Sequence, residues 1–250
     1  MDRIVEPFLL SLIAGSSTAV GGIIVLILRR ISDRVVSFSL AFASGVMLLV
    51  SFNDLFLEAA KLLTHFELMS MFSLGALIMI TLDLALPHIE PITKSGNGEN
   101  PEMLRKGMLI ALGISLHNFP EGLVVAAGYS YLPRLGLIIA IAIMFHNIPE
   151  GLATAIPLRK AGVKSWKCFF LTLLSGLTEP VGALAVAFAL SFVGTESFIG
   201  SSLAFAAGVM IYITADELIP IAHEYGYKHT VSVGLLLGIM FSLLMDALLS

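Results

Sequence analysis

The chain has 250 residues, 57% hydrophobic and only 13% charged, with a mean hydropathy of +0.95, which excludes an ordinary soluble globular domain. The net charge of −4 says nothing useful about nucleic acid, but no basic face suggests it, so no nucleic-acid partner is expected; the single cysteine, Cys168, excludes an intramolecular disulfide or a thiolate metal cluster. The chain reads as an all-α integral membrane protein, one polytopic domain over 1–250 whose surroundings are the lipid bilayer.

Apolar runs of about twenty residues, the length that crosses a bilayer, fall near 7–28, 36–57, 67–87, 107–128, 135–157, 168–192, 197–222 and 230–249. Eight transmembrane helices are expected. The first begins almost at the N-terminus and is too long for a cleaved signal segment, so it is expected to remain as a span. Eleven of the 14 basic residues fall in loops on one side, including Arg29, Arg30, Arg34, Arg159, Lys160, Lys164 and Lys167; Arg3, Lys61 and Arg134 fall on the other. Positively charged loops stay in the cytoplasm, so both termini are expected outside.

The first span contains SLIAGSSTAVGG (11–22), whose small residues let neighbouring helices approach closely. The second, LAFASGVMLLVSFNDLFLEA (40–59), returns in the seventh as LAFAAGVMIYITADELIPIA (203–222), with nine of twenty positions identical and no gap. Spans five apart cross in opposite directions, so this repeat is inverted. The first and sixth spans match more weakly, SLIAGSSTAVGGIIV (11–25) against TLLSGLTEPVGALAV (172–186). The third and eighth share only an aspartate late in the span, Asp83 and Asp246. The expected organisation is an inverted repeat of helices 1–3 (about 7–87) and 6–8 (about 168–249) around a symmetric pair, helices 4 and 5 (107–157). The loop 88–106 between them is read as flexible and cytoplasmic; His88 is its one histidine, too few for a metal buffer. Trp166 is read as an anchor at the membrane edge.

The central pair carries the chemistry. HNFPEG stands at 117–122 and HNIPEG at 146–151, each after ten or eleven apolar residues, roughly 15 Å along its helix and therefore near mid-bilayer. At about 100° per residue, His117, Asn118 and Glu121 share one face, and His146, Asn147 and Glu150 repeat it. Pro120 and Pro149 remove amides that would bond the carbonyls of Leu116 and Phe145; Gly122 and Gly151 permit close approach or a bend. Glu179, in SGLTEP on the sixth span, adds a third carboxylate. Buried carboxylates without a central Lys or Arg require protons or bound cations. Imidazole, carboxylate and amide oxygens together suit borderline first-row ions such as zinc and ferrous iron better than magnesium or calcium. Two ligand sets could hold two ions side by side. A metal-free proton relay and simple packing histidines are the alternatives. Nearer the helix ends, Asp54, Glu58 and Asp246 suggest an outer vestibule, and Asp216, Glu217 and His223 an inner one, that would concentrate cations.

In these residues the chain resembles the ZIP (zinc and iron permease) transporters, in their short prokaryotic branch, over essentially its whole length. The resemblance implies uptake of divalent metal into the cytoplasm across a bacterial-type inner membrane, with no organic cofactor and no enzymatic activity. Zn2+ is the expected cargo, with Fe2+, Mn2+, Co2+ and Cd2+ as possible others. It implies one site of His117, Glu121, His146 and Glu150, and a second of Asn118, Glu121, Asn147, Glu150 and Glu179. It further implies an elevator motion of helices 1, 4, 5 and 6 against 2, 3, 7 and 8, and a homodimer. Some members carry aspartate at the position of Asn147, and many carry a histidine cluster after helix 3; this chain has neither. An intramembrane metallohydrolase is the runner-up, disfavoured because the HExxH pattern is absent.

Overall fold

A computed structural model describes residues 2–27, 32–85, 101–160, 162–193 and 196–249, with the side chains of Asp83, 101–110, His117 and a few others outside the description. Most of the expected loop 88–106 therefore lies outside the described residues, as does the side chain of Asp83. The rest is helical, with no strand among the described residues.

α1 (Asp2–Ser16) and α2 (Thr18–Ile27) form the first span, and α3 (Asp33–Leu49), the π-helical turn π1 (Val50–Phe56) and α4 (Leu57–Leu62) form the second. α5 (His65–Ala85), α6 (Pro101–Tyr131) and α7 (Pro133–Lys160) follow. α8 (Ser165–Gly176) with α9 (Thr178–Val193), then α10 (Glu196–Ile213) with π2 (Thr214–Leu218) and α11 (Ile219–Glu224), and finally α12 (Lys228–Leu249) complete the chain. Seven stretches, 4–27, 33–62, 65–82, 133–156, 165–190, 196–224 and 228–248, are long and apolar enough to cross a membrane. Of the α7 span 72% is buried, against 17% for α5 and 22% for α12. α7 is therefore central, and α5 and α12 are peripheral, their exposed Leu77, Leu236 and Met240 suited to lipid tails.

Two boundaries differ from expectation. α6 is already helical at Pro101, six residues before 107, and proline is accommodated in a first helical turn, where its missing amide costs nothing. The first and sixth spans are not continuous but break at Ser17 and Leu177. Short hydroxyl side chains compete for the backbone there. Ser17 Oγ donates to Ala14 O (2.6 Å) and, across the bundle, to Met144 O (2.7 Å). Thr178 Oγ1 donates to Ser175 O (2.7 Å) and Ser115 O (2.9 Å), while Pro180 cannot donate to Gly176. By contrast, α6 and α7 run unbroken through Pro120 and Pro149, and Gly122 and Gly151 serve close approach, a Cβ on them lying 1.8 Å from Glu179 O and 2.0 Å from Thr18 O.

Small residues set the helix spacing. A Cβ on Gly45 of α3 would lie 2.2 Å from Leu235 O of α12, and one on Gly238 2.1 Å from Phe42 O. In the same way Gly75 of α5 meets Phe205 O and Gly208 of α10 meets Phe72 O, each at 2.0 Å. These contacts are backbone against backbone, so a larger residue must force two helices apart. Gly208→Val is expected to destabilise by about 3 kcal/mol, the upper range for overpacking, read as a lower unfolding temperature in detergent. Between the two pairs, Leu40, Met47, Leu203, Met210 and Ile213 are wholly buried, and Thr214 Oγ1 of π2 lies 3.8 Å from Met47 Sδ.

Candidate metal centre

α6 and α7 pack antiparallel, joined only through Leu132, and this brings the two motif copies face to face. Asn118, Glu121, His146, Asn147, Glu150 and Glu179 are all wholly buried. Glu121 Oε1 stands 3.1 Å from His146 Nε2. Glu121, His146 and Glu150 each offer one ligand atom, all within 4.8 Å of one another. Ligand atoms at about 2.0–2.2 Å around one tetrahedral ion lie about 3.5 Å apart, so a contraction of little over 1 Å would let the three share a metal. The side chain of His117 lies outside the described residues.

The two asparagines are held by the broken spans. Asn118 Nδ2 donates to Ser175 O (3.0 Å) and Asn147 Nδ2 to Ala14 O (2.9 Å), one beside each break. A carbonyl can only accept, so the amide nitrogens turn to it and each Oδ1 turns elsewhere. Neither Oδ1 has a hydrogen-bond partner among the described residues. Asn147 Nδ2 also donates to Glu179 Oε1, which ties the third carboxylate to the second motif copy. Glu179 Oε2 likewise has no partner among them. Glu179 does not belong to the close trio of Glu121, His146 and Glu150. Gly122 lets it come close to α6, since a Cβ there would lie 1.8 Å from Glu179 O.

The basic residues of α6 and α7 (Arg105, Lys106, Arg134, Arg159 and Lys160) stand at the helix ends, and α8 and α9 carry only Lys167, near the start of α8. Buried carboxylates so placed favour a divalent cation as their partner.

The outer vestibule residues converge. Asp54, Glu58 and Asp246 line one cavity of about 380 Å³. Asn53 Nδ2 donates to Asp54 Oδ1 (3.0 Å) and Asp246 Oδ2 (3.3 Å), linking π1 to α12. Sequence reasoning had not placed Lys61 and Arg134 with this group, yet both line the cavity, and Lys61 pairs with Glu58. Three carboxylates and two cations leave a formal charge of −1 there. On the other side Asp216 and His223 are exposed and Glu217 is half-buried; Tyr212 donates to Asp216 Oδ2 (3.2 Å). Trp166 is 53% exposed, with the Lys167 ammonium 5.9 Å from its ring, as an interfacial anchor should be.

Sequence reasoning also missed the carbonyls of Ala14 and Ser175. The signal was the serine and glycine clusters of the first and sixth spans, which mark where a helix can open.

Membrane-length helices around a buried histidine and carboxylate centre define the class: a multi-pass integral membrane protein with a metal-competent core. A family model described as ZIP Zinc transporter matches residues 93–246. Zinc transporter ZupT of Chlorobaculum parvum is 38% identical over 265 aligned positions, covering 99% of this chain and 98% of the relative. Zinc transporter ZupT of Corynebacterium efficiens is 40% identical over 255 positions, covering 95% and 94%. The chain belongs to the ZIP family. Members of that family are transporters, so the metallohydrolase alternative is set aside.

Proposed function

We propose that this protein imports divalent metal ions, zinc first, into the cytoplasm through a two-metal site between α6, α7 and the break before α9. The carrying observation is the wholly buried trio Glu121, His146 and Glu150, with ligand atoms within 4.8 Å. Relatives named as zinc transporters support zinc as the cargo, and the mixed nitrogen and oxygen donors fit it. His117 would complete the first site. Asn118 Oδ1, Asn147 Oδ1 and Glu179 would build the second, with Glu121 and Glu150 bridging. Iron, manganese, cobalt and cadmium are further candidates, because ligand type alone does not separate first-row ions.

Alternating access follows from an inverted repeat of helices 1–3 and 6–8 within an eight-helix bundle, α6 being the span additional to the seven counted above. Several contacts support that repeat. Gly45 and Gly208, Gly75 and Gly238, Phe42 and Phe205, and Phe72 and Leu235 each differ by 163 in number, and the contact each glycine makes recurs in its counterpart. π1 and π2 fall at the same offset. Gly15 and Gly176 meet across the axis, each against the other's carbonyl. Helices 1, 4, 5 and 6 then form the moving unit against helices 2, 3, 7 and 8, with both termini outside a bacterial-type inner membrane and a homodimer as the assembly. The outer cavity at Asp54 and Asp246 is the external mouth, and Asp216, Glu217 and His223 lie near the internal one.

The test is radioactive zinc uptake into proteoliposomes with iron and manganese as competitors. Saturable uptake is expected; folded protein that binds zinc but moves none would overturn the transport reading. Protons and metal compete for the same carboxylates and imidazoles. Apparent zinc affinity is therefore expected to fall as pH is lowered at fixed membrane potential, and a pH-independent KM would remove the protonation step.

A further inference from the structure

Thr18, the first residue of α2, is wholly buried, and its hydroxyl has no hydrogen-bond partner among the described residues. Such a hydroxyl costs stability, and packing alone does not call for it, since valine has nearly the same shape. Its surroundings suggest why it is there. A Cβ on Gly151 would lie 2.0 Å from Thr18 O, and one on Gly176 2.7 Å from Thr18 Oγ1. Thr18 is thus wedged between the residue after Glu150 and Gly176, the last residue of α8 before the break at Leu177.

Glu179 occupies the same position against the other motif copy, its carbonyl 1.8 Å from a Cβ on Gly122. Gly122 and Gly151 end the two copies, so Thr18 stands to the second copy as Glu179 stands to the first. The side-chain relation follows the same pattern. Glu179 accepts from Asn147; the counterpart of Asn147 is Asn118, whose Oδ1, like Thr18 Oγ1, has no hydrogen-bond partner among the described residues. Both atoms are buried and polar, a combination that points to a ligand or an ordered water as the partner of each.

We infer that Thr18 is a specificity-determining residue of the metal centre, supplying a neutral oxygen to the Asn118 half where Glu179 supplies a carboxylate to the Asn147 half. This rests on the two-metal reading above. The centre is consequently lopsided: three carboxylates rather than four, with the Thr18 half built for an ion, or an ion-bound water, held by hard neutral oxygens. Oxygen-seeking ions such as manganese depend on that half more than zinc does.

Thr18→Val removes the oxygen and keeps the shape. The purified variant should unfold at the same or a higher temperature without metal, because an unsatisfied buried hydroxyl is gone. Its stabilisation by added zinc should shrink, and competition by manganese against zinc uptake should weaken about tenfold, the lower end for lost support around a metal. Thr18→Ser, which keeps the oxygen, should restore both, and Thr18→Ala gives the same contrast should valine not be accommodated. A Thr18→Val protein with wild-type metal stabilisation and wild-type manganese competition overturns the inference. Glu121→Ala run alongside separates the two readings. If it retains zinc uptake, the proposed centre itself is wrong; if it loses uptake while Thr18→Val is unchanged, only the role of Thr18 falls.

Discussion

Glu121→Ala is expected to abolish saturable zinc uptake, a loss of at least about 100-fold. Losing even an outer-shell partner of a metal ligand costs about 10–100-fold in affinity or activity, and Glu121 is placed closer than that. Its Oε1 meets His146 Nε2 at 3.1 Å and it belongs to the buried trio with Glu150, so its removal takes a ligand from both proposed sites. It also leaves His146 without that carboxylate, in a place where no water replaces it cheaply. Glu121→Gln keeps the volume and removes only the charge. The same loss from Gln as from Ala would show that charge, not packing, carries the effect, whereas uptake by Glu121→Gln within a few-fold of wild type would argue against direct ligation.

The second large effect is expected from a change that replaces no proposed ligand. Gly122→Ala would put a Cβ 1.8 Å from Glu179 O, 2.6 Å from Glu179 C and 2.9 Å from Ala183 N. All three are backbone atoms, so no side chain can swing aside, and α6 must move away from α9 by more than 1 Å. A displacement of that size in a reacting site costs about 100-fold. Zinc uptake should fall by more than tenfold with a lower unfolding temperature. Gly128→Ala is the control, since the nearest atom to its Cβ is Ile139 Cδ1 at 2.7 Å, the movable end of a side chain. Equal damage from the two would mean that α6 tolerates no added methyl anywhere, and that the Gly122 contact is nothing special.

The sequence alone determined what repeats along the chain or stays within one helix. Seven expected spans appear as helices of crossing length because hydropathy over about twenty residues is a local property. Asn118 and Glu121, and likewise His146, Asn147 and Glu150, could be assigned to common faces because helical spacing is fixed. The similarity between the second and seventh spans was also visible, because it is written in side chains. The contacts that the third and eighth make were not, because they join Gly75 to Phe205 O and Gly238 to Phe42 O, and a carbonyl has no letter in the sequence.

Tertiary structure decided everything that joins distant backbone to a side chain. The breaks at Ser17 and Leu177 turn the carbonyls of Ala14 and Ser175 toward Asn147 and Asn118, across 133 and 57 residues of chain. Those contacts choose which atom of each amide is left for a ligand. Lys61 and Arg134, assigned by sequence to separate loops, share a cavity with Asp54 and Asp246 because α4, α7 and α12 converge there. Thr18 acquired significance only from its place opposite Gly151 and Gly176. Local pattern predicts a helix and its faces; which groups meet in the middle depends on how closely the helices approach, and that is set by glycines whose partners lie far away in the chain.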